Sequence, residues 1–298
     1  MKKALLILLG LYLVLFSYGQ EKNILFIGNS ITASGIPDHV RMIAEANGDT
    51  IYTEQFWGGQ LLREYVNEPG QLTMTEDKLN ERPWDYIVLQ ENSQVSGFYP
   101  GWQEGYFEYY SYDAAATLND MARNLPSCPE VMFFMTYGYL NGDQMNFPND
   151  TYLKQQNRIR RNYMLLGDSL SSPVAPVGWV WRLIRQNTNW GDQLYIPNDH
   201  HPEELGAYLA SCVFYASIFK KPVSGTDYDA GLEKEKVAYI QKVTDSVVLQ
   251  QPGLWNIGIN DVVADFDYEV NDLTATFTSG SASKYLEHFW KFGDGQES

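Results

Sequence analysis

The amino-acid sequence predicts an α/β protein, a three-layer α/β/α sandwich built around a parallel five-stranded sheet. From Asn23 onward, short apolar runs alternate with longer segments of helical periodicity. This alternation is typical of parallel strands whose two faces are covered by helices. After Pro252-Gly253 the pattern changes to a period of two, which predicts a partial β-sandwich at the C-terminus.

The strands and helices follow in chain order from the apolar runs and from the helical periodicity between them. We expect strands at 23–28, 50–56, 85–90, 130–137 and 173–178. We expect helices at 37–47, 60–66, 72–80, 111–124, 151–170, 203–219 and 231–249. Five strands in this rhythm fit a flavodoxin-like sandwich, in which ligands bind outside the carboxyl ends of the strands.

Residues 1–19 have the features of a signal peptide. A basic start at Lys2-Lys3 precedes an apolar stretch, and the small residues Ser17 and Gly19 follow it. We therefore expect the mature protein to begin at Gln20 and to be secreted or held at the cell surface. The apolar stretch is short for a membrane span, so stable membrane insertion is not expected.

The C-terminal segment 262–298 differs in composition from the domain that precedes it. Asp265–Tyr268 and Leu273–Thr278 alternate as half-buried strands do, and Phe289–Gly295 adds an aromatic strand and a turn. The segment resembles the first half of a PKD module, a small immunoglobulin-like sandwich. The predicted organisation is thus a signal peptide over 1–19, an α/β domain over 20–252 and an incomplete β-sandwich over 262–298.

The charge and the cysteines limit the possible partners and cross-links. The formal net charge is −16, and it becomes more negative when Lys2 and Lys3 are removed. A chain this acidic is not expected to bind nucleic acid, and the charge favours solubility. Cys128 and Cys212 could form a disulfide in an exported protein, or Cys212 could be a buried free thiol.

A serine stands where the first predicted strand ends. The apolar run 24–27 leads into Gly28-Asn29-Ser30, which predicts a tight turn that presents the Ser30 hydroxyl. A serine nucleophile needs a histidine base and donors for the oxyanion that forms on attack. Of the four histidines, His39 lies in a helical pattern and His288 in the C-terminal segment, which leaves the adjacent pair His200 and His201.

Three candidate residues lie at the same edge of the predicted sheet. Ser30, Gly59 and Asn92 each come just after a predicted strand. Because the carboxyl ends of parallel strands share one edge, these residues are expected to lie near one another.

Four blocks taken in order resemble those of the SGNH hydrolases, the GDSL-type esterase and lipase superfamily: Gly28–Ile31, Gly58-Gly59, Gln90–Ser93 and Asn198–Pro202. The resemblance implies a serine esterase without a cofactor. It implies Ser30 as nucleophile and His201, which precedes a proline, as base. It also implies an oxyanion hole from the Ser30 and Gly59 amides and the Asn92 side chain, with Gly58, Gln90 and Gln94 as alternatives. No metal site is expected, because an adjacent histidine pair cannot easily converge on one ion.

The acid is where the sequence departs from this pattern. The family places aspartate three residues before the histidine, where this chain has Asn198, and Asp199 stands two before. Loss of the acid's charge can cost roughly 10⁴ in turnover in a triad. Three alternatives are open: Asp199 orients His201, a backbone carbonyl does so, or the site is impaired. We expect Asp199 to orient His201, because a loop can shift by one residue more easily than the reaction can proceed without the negative charge.

Aromatic residues after Asn92 point to the substrate. Aromatic faces stack on sugar rings, so Tyr99 and Trp102 are predicted to bind a carbohydrate, the alternative being that they pack a long loop onto the domain. The same two readings hold for Trp179 and Trp181. The expected substrate is an acetyl ester on a carbohydrate, or another acylated small molecule. The competing predictions are a glycan-binding protein without activity on the same fold and a lipase of the same superfamily.

Overall fold

The computed structural model describes residues 21–261, 266–271 and 274–279. The predicted signal peptide and the aromatic stretch 289–295 lie outside these residues. Most of the described chain forms one α/β unit, followed by a β-hairpin.

Five parallel strands form the central sheet, in the order β2-β1-β3-β4-β5. Their bounds are β1 Lys22–Ile27, β2 Ile51–Phe56, β3 Tyr86–Leu89, β4 Glu130–Phe134 and β5 Val174–Ala175. The chain runs from β1 to β2 on one side and then returns to β3 on the other. The loops after β1 and β3 therefore lie at the point where the strand order reverses, which is where open α/β sheets bind ligands.

Helices cover the sheet, and the flavodoxin-like three-layer sandwich is confirmed. The helices are α1 Ile36–Ala46, α2 Leu62–Asn67, α3 Pro69–Asn80, α4 Asp113–Arg123, α5 Tyr152–Leu170, α6 Val177–Asn187, α7 Glu204–Phe219 and α8 Lys234–Val248. One group comprises α7 with α1, α6 and α8, and another comprises α4 with α2 and α5. Helix α7 is buried along nearly its whole length, and the Phe214 ring meets Phe26 and Phe134 edge to face at 5.2 and 5.0 Å.

The prediction for residues 173–178 was wrong in length, and the helix that follows was missed. Strand β5 has only two residues, and α6 begins at Val177. Pro176 has no N–H to give to a sheet, so the strand ends before it, and proline is well suited to precede a first helical turn. The helix then buries Val180 and Ile184 four residues apart, on one face.

The C-terminal hairpin consists of β6 Phe266–Asn271 and β7 Thr274–Ser279, which pair antiparallel. Its strands agree with the predicted alternating segments, while the partial β-sandwich remains a prediction. Cys128 is exposed and Cys212 is buried, and both are free thiols. A membrane crossing would require a longer and more apolar helix than any in the described part of the chain.

Candidate active site

The turn after β1 holds Ser30 in place through its neighbour Asn29. The Asn29 side chain is buried, with Oδ1 accepting the Ile31 N–H at 3.1 Å and Nδ2 donating to the Gln60 carbonyl at 2.9 Å. A neutral amide makes both bonds at once, whereas an aspartate could only accept. Asparagine here ties the Ser30 turn to the loop after β2.

Gln90, one of the alternatives for the oxyanion hole, braces the same turn. Its Oε1 accepts the Asn29 N–H and the Thr32 hydroxyl, both at 2.9 Å, and its Nε2 donates to the Glu91 carbonyl at 2.7 Å. A Cβ on Gly28 would lie 2.6 Å from Gln90 Oε1, so only glycine fits there. Both the oxygen and the nitrogen of the Gln90 amide are thus engaged within the protein.

The histidine loop returns the chain from the end of α6 to the start of α7. The Ile196 N–H donates to the His201 carbonyl at 3.0 Å, which closes a tight loop. Within it Asn198 has a positive φ of 63°, a conformation that asparagine tolerates better than most residues. The loop brings His201 against Ser30, 171 residues away in sequence.

Ser30, His201 and Asp199 form a continuous chain of hydrogen bonds. Ser30 Oγ lies 2.7 Å from His201 Nε2, and His201 Nδ1 lies 2.7 Å from Asp199 Oδ1. The hydrogen bond from the His201 side chain is the main reason why the pKa of Asp199 lies below its ordinary value. Hydrogen bonds from the backbone amides of His200 and His201 act in the same direction. The lowered pKa favours the carboxylate form of Asp199, whose negative charge can stabilise a protonated His201 imidazole.

The register of the sheet aligns the three predicted oxyanion donors. Ile27 of β1 pairs with Phe56 of β2 and with Leu89 of β3. Ser30, Gly59 and Asn92 each stand three residues beyond these aligned positions. Because the parallel strands are in register, the three loops begin side by side at the edge of the sheet. Each loop carries its donor three residues after the aligned strand residue.

Asn92 is the side-chain amide that stays available. Its Oδ1 accepts the Gln94 N–H at 2.8 Å, which fixes the rotamer, and within the described residues its Nδ2 makes no hydrogen bond. Gln94 Nε2 instead donates to Asp143 Oδ1 at 3.1 Å. With Gln90 also engaged, the contacts favour Asn92 over both alternatives.

The backbone amides of Gly58, Gly59 and Ser30 differ in their hydrogen-bond partners. The Gly58 N–H donates to the Tyr65 hydroxyl at 2.9 Å, and that hydroxyl donates to the Gly28 carbonyl at 2.6 Å. The Gly59 amide also faces the Tyr65 hydroxyl and acts to lower the pKa that burial raises there. The Ser30 amide has no hydrogen-bond acceptor among the described residues. A Cβ on Gly59 would lie 2.8 Å from a Glu64 carboxylate oxygen, so the loop is shaped around glycine.

The two predicted sugar-binding aromatics differ in their surroundings. Trp102 is half-buried and packs against Phe98 and Phe147, with ring centroids 4.4 and 5.2 Å apart, so it anchors the loop. Tyr99 is 45% exposed and contacts Phe147 only edge-on. Tyr99 therefore keeps a surface for a ligand, and Trp102 fits the packing alternative better.

Trp57 is a further exposed aromatic residue that was not predicted from the sequence. It is 52% exposed and follows the last residue of β2, two residues before Gly59. Its position at a strand end beside a predicted donor was a usable signal. Trp181, by contrast, is fully buried and stacks on Tyr137 at 3.6 Å, and Trp179 packs near Trp255. Trp181 is a core residue, which favours the packing alternative at this position.

One group in the described part of the chain has the spacing of a metal site. Ligand atoms of Asp199, His200 and His201 lie within 4.8 Å of one another. The two adjacent histidines thus converge more closely than their positions in the sequence led us to expect. Both ring nitrogens of His201 already contact Ser30 and Asp199, as a catalytic triad requires. The His200 ring packs between Tyr139 and His201, and burial lowers its pKa.

No family profile and no curated protein matches this chain, but solved structures do. A DUF4886 family protein from Bacteroides uniformis is 18% identical with a TM-score of 0.63, covering 77% of this chain and 95% of that one. A protein assigned to the SGNH hydrolases from Slackia heliotrinireducens is 22% identical with a TM-score of 0.52, covering 66% of this chain and 99% of that one. At such identities the likeness shows a shared fold.

Proposed function

We propose, from this fold and its hydrogen-bonded Ser30, His201 and Asp199, that the protein is a secreted serine esterase. One observation carries the proposal: the Ser30 hydroxyl contacts the His201 imidazole at 2.7 Å, and the imidazole contacts Asp199 at 2.7 Å. A hydroxyl, an imidazole and a carboxylate in series are what activate a serine for attack. The ester is proposed to be an acetyl group carried by a carbohydrate.

The first half of the reaction acylates Ser30. The Ser30 oxygen attacks the carbonyl carbon while His201 Nε2 takes the hydroxyl proton, and the Asp199 charge stabilises the imidazolium. The carbonyl oxygen becomes an oxyanion that accepts from the Ser30 and Gly59 amides and from Asn92 Nδ2. The ester C–O bond then breaks, and the sugar hydroxyl leaves with the proton from His201.

The second half releases the acyl group by the same route. Water enters beside His201, which takes a proton as the water oxygen attacks the acyl carbon. The bond to Ser30 breaks, the proton returns to the serine oxygen, and the carboxylic acid leaves. Every proton in the cycle passes through His201, so the proposed reaction needs no cofactor.

Two exposed aromatics support a carbohydrate as the alcohol part of the ester. Trp57 follows β2 at the edge where Ser30 lies, and Tyr99 belongs to the loop after β3 that also carries Asn92. Rings exposed in this way can stack on the apolar faces of sugar rings. Secretion is proposed from the composition of residues 1–19.

Hydrolysis of p-nitrophenyl acetate by the mature protein tests the mechanism. We expect Ser30→Ala and His201→Ala each to abolish turnover while far-UV circular dichroism and Tm stay at parental values, because residues that act as a unit fail together. His200→Ala is the control, since it removes a neighbouring imidazole outside the triad. Parental turnover in Ser30→Ala would contradict the proposal.

Acetylated xylan and a long-chain acyl ester test the substrate class. Release of acetate from the polysaccharide should exceed cleavage of the long-chain ester, and Tyr99→Ala should raise KM for the polysaccharide without changing turnover of p-nitrophenyl acetate. Preference for the long-chain ester would favour a lipase. Binding to the glycan without acetate release would favour the non-catalytic alternative.

A further inference from the structure

A carboxyl group lies buried between the loops that follow β2 and β3. Glu91 has no exposed surface, although it stands only two residues beyond the last residue of β3. Its Oε1 accepts the Asn92 N–H at 2.6 Å, and its Oε2 accepts the Leu62 N–H at 3.2 Å. Both carboxyl oxygens are thus used inside the protein, and the side chain cannot touch a substrate.

The two amides belong to the loops that carry two of the three proposed oxyanion donors. Asn92 is itself a donor, and Leu62 is the first residue of α2, three residues after Gly59. Glu64, the other carboxylate of this region, accepts the Gln60 N–H and so braces only the loop after β2. The hydrogen bond between Glu91 and Leu62, which are 29 residues apart in sequence, instead joins the loop after β3 to the loop after β2.

The main chain of Glu91 is held as firmly as its side chain. Its N–H donates to the Tyr163 hydroxyl of α5 at 3.2 Å, and its carbonyl accepts from Gln90 Nε2 at 2.7 Å. Gln90 also braces the Ser30 turn through Asn29. The carboxyl therefore sits on an anchored backbone, which makes it a fixed point from which both loops are positioned.

We propose that Glu91 is a positioning residue that sets the spacing between Asn92 and the Gly59 loop, and so the geometry of the oxyanion hole. The inference rests on the proposed esterase function. A donor displaced by a fraction of an ångström no longer meets the oxyanion at hydrogen-bond distance, so loss of the link lowers kcat more than it raises KM.

The charge of this group adds a second readout. Burial, with a smaller contribution from the Glu64 charge, raises the pKa of Glu91 to about 8 against the opposing effect of the Asn92 and Leu62 amides. The titratable groups facing it are Glu64 and Tyr65 of α2 and Tyr163 of α5. At neutral pH the carboxyl is mostly neutral. Above pH 8 it places a negative charge beside the oxyanion, which opposes the reaction.

The test compares the parent with Glu91→Gln, which replaces one of the two accepting oxygens by an NH2 group at nearly constant volume, and with Glu68→Gln, the same change at an exposed position of the adjoining loop. With p-nitrophenyl acetate, Glu91→Gln should lower kcat by about 10- to 100-fold with KM within about twofold. It should also lose a fall in kcat that the parent shows near pH 8. Glu68→Gln should match the parent in both.

An NMR titration separates this inference from the proposed function. In the parent, the amide proton shifts of Leu62 and Asn92 should move together with a midpoint near pH 8, whether or not the protein hydrolyses esters. Glu91→Gln should abolish that titration, and if the variant does not fold, the parental titration still decides. An inactive parent overturns the esterase proposal alone. Parental kcat and pH profile in a folded Glu91→Gln, or no titration of the two amides, overturns the role of Glu91.

Discussion

A single oxygen, Oδ1 of Asp199, organises the histidine loop. It accepts from His201 Nδ1 at 2.7 Å, from the His200 N–H at 2.5 Å and from the His201 N–H at 3.2 Å. The Asp199 side chain is 40% exposed, so water screens part of its charge. Its importance therefore lies as much in holding the His201 ring and tautomer as in the charge itself.

Replacing Asp199 separates the three possibilities that the sequence leaves open. We expect Asp199→Asn to lower kcat by roughly 10² to 10⁴, because an amide in place of the carboxylate selects the wrong tautomer and carries no charge. Asn198→Ala should cost much less, because its side chain makes no hydrogen bond to the described residues. Steady-state kinetics with one activated ester measures both. Near-parental turnover in Asp199→Asn would instead assign the role to a backbone carbonyl or a distant acid.

Asn92 can be tested against Gln94 as a matched amide in the same loop. Asn92→Ala should lower kcat by roughly 10² to 10³ with KM nearly unchanged, since the donor acts on charge that exists only in the transition state. Gln94→Ala removes an amide that donates to Asp143 and should leave kcat close to the parent. A large loss in Gln94→Ala with none in Asn92→Ala would move the donor to Gln94.

Three loops that start level at the ends of β1, β2 and β3 are the elements that build the site. Side chains tie them together across the sheet: Asn29 reaches Gln60, Gln90 reaches Asn29, and Glu91 reaches Leu62. Each of these hydrogen bonds joins loops that are far apart in sequence, so the proposed oxyanion hole depends on how the sheet brings the three loops together. Residues at this edge face demands other than stability, and a buried ionisable group is one expected sign of that.

Glu91 should leave a signature in the pH dependence of stability. Its pKa is about 8 in the folded protein and near the ordinary 4.5 when unfolded. Between these values only the folded state keeps the proton, so the free energy of unfolding falls as pH rises. The parent should lose up to about 1.4 kcal/mol per pH unit relative to Glu91→Gln across this window. Urea unfolding of both proteins from pH 4 to 9 measures the difference, and parallel curves would contradict it.

At the scale of the whole molecule, every proposed site residue lies between Ser30 and His201, inside the α/β unit. The hairpin strands β6 and β7 pair with each other. A protein of residues 20–261 should therefore keep parental kcat on p-nitrophenyl acetate and a Tm within a few degrees of the parent. Kinetics and thermal unfolding check this. Loss of activity or of cooperative unfolding would show that the C-terminal segment supports the domain.

The parts of the fold that follow from local pattern could be read from the sequence. The five strands, the helices other than α6 and the edge that carries Ser30, Gly59 and Asn92 follow from periodicity, which depends on near neighbours. Helix α6 was missed because Val174–Val177 is apolar like a strand, and only the geometry of Pro176 divides it. Elimination among the four histidines left the pair His200 and His201, and the resemblance to the SGNH hydrolases singled out His201, which precedes a proline.

Contacts between distant residues decided the rest. Periodicity cannot tell that Asn198 takes a positive φ while Asp199 reaches His201. Nor can it tell that the Gln90 and Gln94 amides are engaged while Asn92 Nδ2 has no hydrogen-bond partner among the residues that the structure describes. It cannot reveal that Glu91 is buried against Leu62. These outcomes depend on which loops meet at the edge of the sheet, and that is set by packing across the whole domain. The sequence by itself predicted the edge of the sheet at which the proposed site lies, and the tertiary structure decided which side chains meet there.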